Sequence, residues 1–253
     1  MTTRRARFPV ATVVLLAWTL ACAGPQSQVS PRNALVIGID VSGSFQRDYD
    51  DAVQFAAYYL YGHLNGLDEL RAPSEVFVGS VGGELPGEVK SFHPIHDFAG
   101  RSVDEIAGAL RRWFPAEDRF SDFNVFFRRT AELVQRRGLV LAPLNIVILS
   151  DGVPDEVAGA PGDTVGGYRS IDLSPLEYLS SNITVRLLYP TPTVAARWER
   201  HVERRRIRLW TLDGQEMTGW RQQVKPDAPA QAQDRLWSWI RDNVDFRVRA
   251  RMA

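Results

Sequence analysis

The sequence A-L-V-I-G-I-D-V-S-G-S-F, at residues 34–45, is the strongest local indication of the fold and of a binding site. Residues 34–39 are apolar apart from one glycine, a run typical of a strand buried on both faces of a parallel sheet. The strand leads directly into Asp40, Ser42 and Ser44, three oxygen-bearing side chains at alternate positions. Such oxygens at the carboxyl end of a strand can turn toward one point and bind a hard cation. The stretch therefore predicts a cation site beside the segment that follows it.

Strands and helices alternate along the remainder of the chain. Apolar runs predict further strands at residues 75–81, 144–149, 183–189 and 207–212. Helical spacing of apolar residues predicts helices at 48–64, 102–114, 122–137, 194–203 and 232–243. The turn G-G-E-L-P-G before residues 89–92 indicates a hairpin whose outer arm is an edge strand. Together these elements predict an α/β fold: a doubly wound, mainly parallel sheet with one antiparallel edge strand and helices on both faces.

Two of the most apolar strands run into an aspartate. Asp40 follows the first strand, and Asp151 follows the strand at 144–149, in the sequence I-L-S-D-G. Ser121 precedes Asp122 at the start of a predicted helix. In a doubly wound sheet, ligands bind at the carboxyl ends of the strands, where the strand order reverses. The three segments are therefore expected to lie near one another.

This pattern resembles the metal-ion-dependent adhesion site of von Willebrand factor type A domains. The first loop of that family is matched by D-x-S-x-S at Asp40, the second by Ser121 with Asp122, and the third by Asp151-Gly152. The resemblance implies that Asp40, Ser42, Ser44, Ser121 and Asp151 are the metal ligands. It also implies a Rossmann-like fold across nearly the whole chain. Asp122 is expected to be a helix N-terminal charge or a group behind the ligands.

The predicted ligand set suits a small hard cation. Two carboxylates and three hydroxyls provide five oxygens, and Mg²⁺ takes six ligands, some of them water. Mn²⁺ is expected to substitute for it. An open position would favour an anionic oxygen, such as an Asp or Glu carboxylate of a protein partner. The loop after Asp151 is expected to border the metal, with Asp155, Glu156 and Tyr168 influencing the choice of partner.

The amino-terminal segment has the pattern of an export signal. Residues 1–21 combine a basic start with an apolar core at 10–20, which is too short to span a bilayer. Cys22, the only cysteine, follows this segment as in a bacterial lipobox, which implies lipidation; a plain signal-peptidase cleavage site is the alternative. Residues 22–33 are predicted to be a flexible tether, 34–246 the domain and 247–253 a tail. The expected location is the bacterial cell envelope, with the membrane reached through a lipid.

Composition excludes several other classes of protein. The 253 residues carry no net charge, so nothing indicates nucleic-acid binding. Residues 34–190 hold 13 basic and 22 acidic side chains, which suits a cation site. Because Cys22 is the only cysteine, disulfides and cysteine metal centres are excluded.

Three other interpretations stay open at this stage. The same fold could be a metal-free structural protein of the envelope. V-I-G-I-D-V-S-G-S-F also resembles the phosphate loop of actin-like kinases, although Ser42 replaces a glycine that the loop needs. His93 and His96 could suggest zinc, but no further ligands stand near them. We therefore expect a binding module and not an enzyme.

Overall fold

The structure of the chain is a computed structural model that describes residues 32–83, 88, 90–117, 120–154, 164–180 and 182–245. The chain divides into two units, Met1–Pro31 and Arg32–Ala253, and the described residues belong to the second. The predicted signal peptide, Cys22 and the predicted tail lie outside the described residues, as do Asp155 and Glu156.

A six-stranded sheet forms the centre of the second unit. Its strands are β1 (Ala34–Ile39), β2 (Glu75–Ser80), β3 (His93–Pro94), β4 (Leu144–Leu149), β5 (Ile183–Leu188) and β6 (Ile207–Leu212). Their spatial order is β3-β2-β1-β4-β5-β6. All neighbours run parallel except β2 and β3, which are antiparallel. The predicted mainly parallel sheet with one antiparallel edge strand is confirmed.

The five parallel strands end level with one another. Ile39, the last residue of β1, is in register with Ser80 of β2 and Leu149 of β4. Leu149 in turn aligns with Leu188, and Leu188 with Leu212. We call the side where these strands end the carboxyl edge, and the side where they begin the amino edge. The order reverses at β1, since the chain passes from β1 to β2 on one side and later from β3 to β4 on the other side of β1.

Helices surround the sheet. They are α1 (Gln46–Asn65), α2 (Val103–Trp113), α3 (Phe123–Arg136), α4 (Val165–Arg169), α5 (Ser174–Glu177), α6 (Pro192–His201), α7 (Gly214–Met217) and α8 (Asp234–Trp239). The predicted capping of α2 is observed: the Ser102 side chain accepts the Glu105 N–H, and Glu105 accepts the Ser102 N–H. Within the described residues, no helix combines the length and the apolar character needed to cross a membrane.

Side chains of β1 alternate between two cores, one on each face of the sheet. Leu35, Ile37 and Ile39 pack with α1, α2 and α8, while Val36 lies in the core built with α3, α5 and α6. All four side chains are buried. The double burial explains why β1 is apolar at nearly every position, and it confirms helices on both faces of the sheet.

Two elements differ from the prediction. The edge strand is His93–Pro94, directly after the predicted segment, and within that segment the Lys90 N–H donates to the Ser80 side-chain oxygen, 3.0 Å away. Residue 89 lies outside the described residues. The closing helix is shorter than predicted: α8 ends at Trp239, and Ile240–Val244 forms a π-helical turn. Such turns are rare, and apolar periodicity does not distinguish them from α-helix.

Candidate functional site

Asp40 and the segment after β4 meet at the carboxyl edge. The Asp40 N–H donates to the carbonyl of Leu149, 2.9 Å away, so the first residue after β1 lies beside the end of β4. The Ser150 N–H bonds in the same way to Leu188 of β5. These bonds extend the sheet by one residue on each strand and bring Asp40 next to Ser150 and Asp151.

Both carboxylate oxygens of Asp40 are held by hydrogen bonds. Oδ1 accepts the Ser42 N–H at 2.9 Å, and Oδ2 accepts the Ser150 hydroxyl at 2.5 Å. The Ser150 oxygen accepts the Gly152 N–H in turn. Sequence reasoning missed Ser150, although its place directly before Asp151 at a strand end was a usable signal. The contacts fix the orientation of the Asp40 carboxylate.

Asp40 is a buried acid that pairs with no cationic side chain among the described residues. Its exposed fraction is 0%, and burial raises its pKa from 3.8 to about 7, opposed by the bonds from Ser150 and Ser42 and reinforced by the charge of Asp151. Among the described residues, no ion pair includes Asp40. A carboxylate in this setting favours either a proton or a cation.

Ser42 and Ser44 form a hydroxyl pair at the entrance to the site. Their Oγ atoms lie 3.2 Å apart. Ser42 is buried, whereas Ser44 is exposed, so the pair leads from Asp40 toward solvent. A turn closed by the Phe45 N–H on the Ser42 carbonyl produces this arrangement, directly before α1.

The backbone of Val153 joins Ser121 to Asp151. The Ser121 hydroxyl donates to the Val153 carbonyl at 3.1 Å, and the Val153 N–H donates to the Asp151 carboxylate at 3.0 Å. Ser121 is buried, and Asp122 caps α3 by accepting the Val125 N–H. Asp122 therefore acts at the helix N-terminus, as the sequence predicts. The second and third loops of the proposed site are thus in direct contact.

Gly152 permits the turn after Asp151. Its φ is +75°, a conformation that strains residues with a side chain, and its carbonyl accepts the Trp198 indole N–H at 2.7 Å. A β-carbon at this position would lie 2.7 Å from a Leu187 methyl carbon. Trp198, fully buried on α6, therefore supports the third loop from behind. No local sequence pattern indicated this role, because the contact spans 46 residues.

Tyr168, which was predicted to influence the choice of partner, lies in the core and not on the surface. Its exposed fraction is 0%, and it belongs to the core shared with α3 and α6. The reason is that residues 165–169 form α4, capped by the Thr164 side chain, which turns Tyr168 inward. The Arg197 guanidinium lies 5.7 Å from the centre of the Tyr168 ring.

The two histidines of the predicted pair have different surroundings. The His93 ring stacks on Trp113 with 3.8 Å between ring centres, and its Nδ1 lies 2.9 Å from Asp97. The His96 side chain is 74% exposed. Within the described residues, no group of three or more His, Cys, Asp and Glu side chains could hold a metal ion.

A second polar cluster, which sequence reasoning missed, supports the site from the α1 side. The Tyr189 hydroxyl donates to Asp51 at 2.6 Å, and Asp51 also accepts from Trp220 and pairs with Arg221. The Tyr189 ring meets Phe45, the residue after Ser44, edge to face at 5.7 Å. The cluster ties the end of β5 to α1 beside the hydroxyl pair.

The five predicted ligands fit a hard divalent cation in chemical type. Their contacts form one connected group, from Ser44 and Ser42 through Asp40 to Ser150 and Asp151, and on to Ser121. All the donors are oxygens, and the buried Asp40 carboxylate lacks a compensating positive charge among the described residues. A cation here would depend on two carboxylates and on hydroxyls, since no third acid is present in the described part of the site.

Comparison of the sequence with protein-family models and with curated protein sequences finds no match. Solved structures with a similar arrangement include the SpRpn10 VWA domain, at 12% identity and a TM-score of 0.44, over 74% of this chain and 93% of that one. Another is manganese-loaded TRAP protein of Plasmodium vivax, at 13% identity and a TM-score of 0.43, over 75% of this chain and 71% of that one. The pilus adhesin SpaC of Lactobacillus rhamnosus GG matches at 18% identity and a TM-score of 0.46, over 75% of this chain but only 29% of the adhesin. At these values the likeness concerns general fold and carries no conclusion about what the chain binds.

Proposed function

We propose that this chain is a binding module that uses a divalent cation, Mg²⁺ or Mn²⁺, to hold a carboxylate of a protein partner. The observation that carries the proposal is Asp40: fully buried, with its pKa raised to about 7, and in no ion pair with a described residue. Burying a carboxylate without a positively charged partner is costly in free energy. A fold that retains such a carboxylate at the edge where sheets of this kind bind ligands therefore has a use for it.

Each residue of the site has a defined part in this proposal. Asp40, Ser42, Ser44, Ser121 and Asp151 would hold the cation, while Ser150 and the Ser42 N–H orient the Asp40 carboxylate. A bound cation would supply positive charge for the buried acid and a position for an anionic oxygen of the partner. The exposed Ser44 marks the side from which that oxygen approaches.

The test is a thermal unfolding experiment with Mg²⁺ or with EDTA. A ligand that binds only the native state stabilises it by about 2.7 kcal/mol at one hundred times its Kd. For a domain of this size, the melting temperature should rise by roughly 5–10 °C. Asp151→Ala should abolish the rise, and Zn²⁺ should gain no preference because all the ligands are oxygens.

His93→Ala is the matched control, since His93 stacks on Trp113 away from the site. This variant should keep the Mg²⁺-dependent rise whatever its own stability. If wild type melts identically in Mg²⁺ and EDTA, and capture of partners from envelope extract ignores EDTA, the metal proposal fails. A metal-free structural protein with the same fold would then replace it.

We further propose that the module works in the bacterial cell envelope, anchored through a lipid on Cys22. This part rests on the sequence of residues 1–22 alone. Cys22→Ser should release the protein from the membrane fraction or leave it unprocessed. A mature N-terminus at Gly24, determined by mass spectrometry, would remove the anchor and leave the metal proposal intact.

A further inference from the structure

Apolar side chains project from the amino edge of the sheet. Leu141 is 81% exposed, Tyr178 85% and Val140 43%. The Leu141 N–H donates to the carbonyl of Leu179, 2.7 Å away, so the α3–β4 loop and the end of α5 lie side by side. We call these three residues the amino-edge patch. Large apolar side chains this exposed, grouped at one place, indicate a surface that contacts something else.

The fold holds Leu141 outward in an unfavourable backbone conformation. Its φ is +76°, a region that residues other than glycine and asparagine rarely adopt. The bond to Leu179 and the bond from the Ala142 N–H to Leu139, at 3.0 Å, fix the turn. Strain at an exposed residue suggests that its position serves a function.

Arginines surround the patch. Arg136 and Arg137 end α3 just before it, and Arg205 and Arg206 lie beside α5, because their N–H groups donate to Glu177 at 2.5 and 3.4 Å. All four are exposed. Three described acids lie close to these arginines. Glu132 pairs with Arg136, Glu203 lies 3.9 Å from Arg205, and Glu177 accepts the backbone bonds just described.

The guanidinium groups of two of these arginines are in no ion pair with a described residue. Arg137 and Arg206 form no ion pair within the part of the chain that the structure describes. Arg137 instead lies over the Phe77 ring, 5.5 Å from its centre. Unpaired guanidinium groups at an exposed edge are suited to binding phosphate groups, which they contact through two parallel N–H bonds.

We propose that the amino-edge patch and its arginines dock on the surface of an anionic phospholipid bilayer. Leu141 and Tyr178 would enter the boundary between lipid headgroups and acyl chains, while the arginines bind lipid phosphates. This boundary favours tyrosine, because its ring is apolar and its hydroxyl is polar. Three projecting side chains offer far less area than a stable protein interface buries, which argues against a second copy of the chain. The proposal does not depend on a metal at the carboxyl edge.

The path of the chain supports a membrane on this side. Arg32 stands two residues before β1 and therefore lies at the amino edge. The residues that precede it include the apolar stretch 10–20 and three arginines near position 5. Docking here would leave the carboxyl edge, with Asp40 and Ser44, facing away from the bilayer.

The test reconstitutes the full chain in vesicles and labels one added cysteine with an environment-sensitive fluorophore. Tyr178→Cys reports on the patch and Gln46→Cys on the carboxyl edge, with wild type giving the background from any Cys22 that carries no lipid. In vesicles containing phosphatidylglycerol, the emission of the label at 178 should shift to the blue and be quenched by nitroxide lipids. In phosphatidylcholine vesicles, or in high salt, its emission should match that of the same protein in water. The label at 46 should emit as in water under all of these conditions.

Paired charge variants separate docking from general attraction. Arg205→Ala with Arg206→Ala should lower the ratio of docked to undocked protein by about fivefold for each arginine. Arg111→Ala with Arg112→Ala removes the same charge from α2 and should leave the ratio unchanged. The proposal is overturned if the label at 178 stays in water on anionic vesicles. It is equally overturned if the shift appears in neutral vesicles and grows with protein density, which would indicate self-association.

Discussion

At the carboxyl edge the sheet buries a carboxylate among hydroxyls, whereas at the amino edge it exposes leucine and tyrosine among arginines. Each edge thus places a side chain in an unfavourable environment: the carboxyl edge removes an acid from water, and the amino edge exposes an apolar side chain to it. Asp40 is ionisable and withdrawn from solvent, while Leu141 is apolar and exposed to it. Both arrangements cost stability, so each can be tested by asking how much stability returns when the residue is changed.

The largest expected effect concerns the charge of Asp40 in cation-free protein. Because its pKa is raised from 3.8 to about 7, the acid favours folding when protonated. That contribution is fully present below pH 3.8 and is lost as the pH rises through 7. Three pKa units correspond to about 4 kcal/mol. In EDTA, the free energy of unfolding of Asp40→Asn minus that of wild type should therefore rise by about 4 kcal/mol between pH 4 and pH 8.

Chemical denaturation at several pH values measures this difference directly. Taking the variant minus wild type cancels the titration of groups common to both proteins. Saturating Mg²⁺ should reduce the difference in free energy of unfolding between Asp40→Asn and wild type at pH 8, because a bound cation favours the charged acid. A margin that does not change with pH would contradict the burial of Asp40 as a source of instability.

The next effect separates an enclosed turn from an open one. Gly152 at the carboxyl edge and Gly138 near the amino edge have φ values of +75° and +64°. A β-carbon on Gly152 would press on Leu187, whereas one on Gly138 would meet nothing within 4 Å. Gly152→Ala should cost about 3 kcal/mol, from backbone strain plus overpacking, and Gly138→Ala about 1 kcal/mol from strain alone.

Urea unfolding of both variants gives the comparison, and the Mg²⁺-dependent rise in melting temperature adds a second readout. Only Gly152→Ala should weaken that rise, since Gly152 directs Asp151. Equal costs for the two substitutions would mean that the third loop adjusts freely and that Trp198 does not hold it in place.

Much of the carboxyl edge could be predicted from the sequence, because its signals are local. An apolar run ending in Asp40, and another ending in Asp151, identify strand ends, and parallel strands place their ends together. Ser150 and Trp198 were missed because their parts depend on contacts across 110 and 46 residues. Tyr168 was misplaced since a polar, glycine-rich sequence does not reveal that α4 turns one ring into the core.

The amino edge was hardly predictable at all. Leu141 and Tyr178 lie in ordinary loop and helix-end sequence, and burial would be the default expectation for both. A bond between the backbones of Leu141 and Leu179 brings the two segments together, and no side-chain pattern encodes it. The arginine run 204–206 is visible in the sequence, but its neighbours are set by the fold and not by the local sequence.

The smallest expected effect is a gain in stability at the amino edge. Asparagine tolerates the left-handed conformation that Leu141 adopts, and Leu141 buries little surface that the substitution would lose. Leu141→Asn keeps the N–H that bonds to Leu179, so it should raise the free energy of unfolding by about 0.5–1 kcal/mol. Leu141→Ala is the matched control, because it removes the apolar tip but keeps a β-carbon under the same strain.

Chemical denaturation of the full chain in detergent-free buffer would decide the comparison between these two variants. The asparagine variant should be the more stable, yet both should lose docking on anionic vesicles, because both lack the leucine that enters the bilayer. A stability gain accompanied by a loss of docking is what strain retained for function predicts. If Leu141→Asn is no more stable than Leu141→Ala, the backbone conformation of Leu141 carries no strain. Exposure of apolar side chains would then be the one unfavourable feature that distinguishes the amino edge from the carboxyl edge.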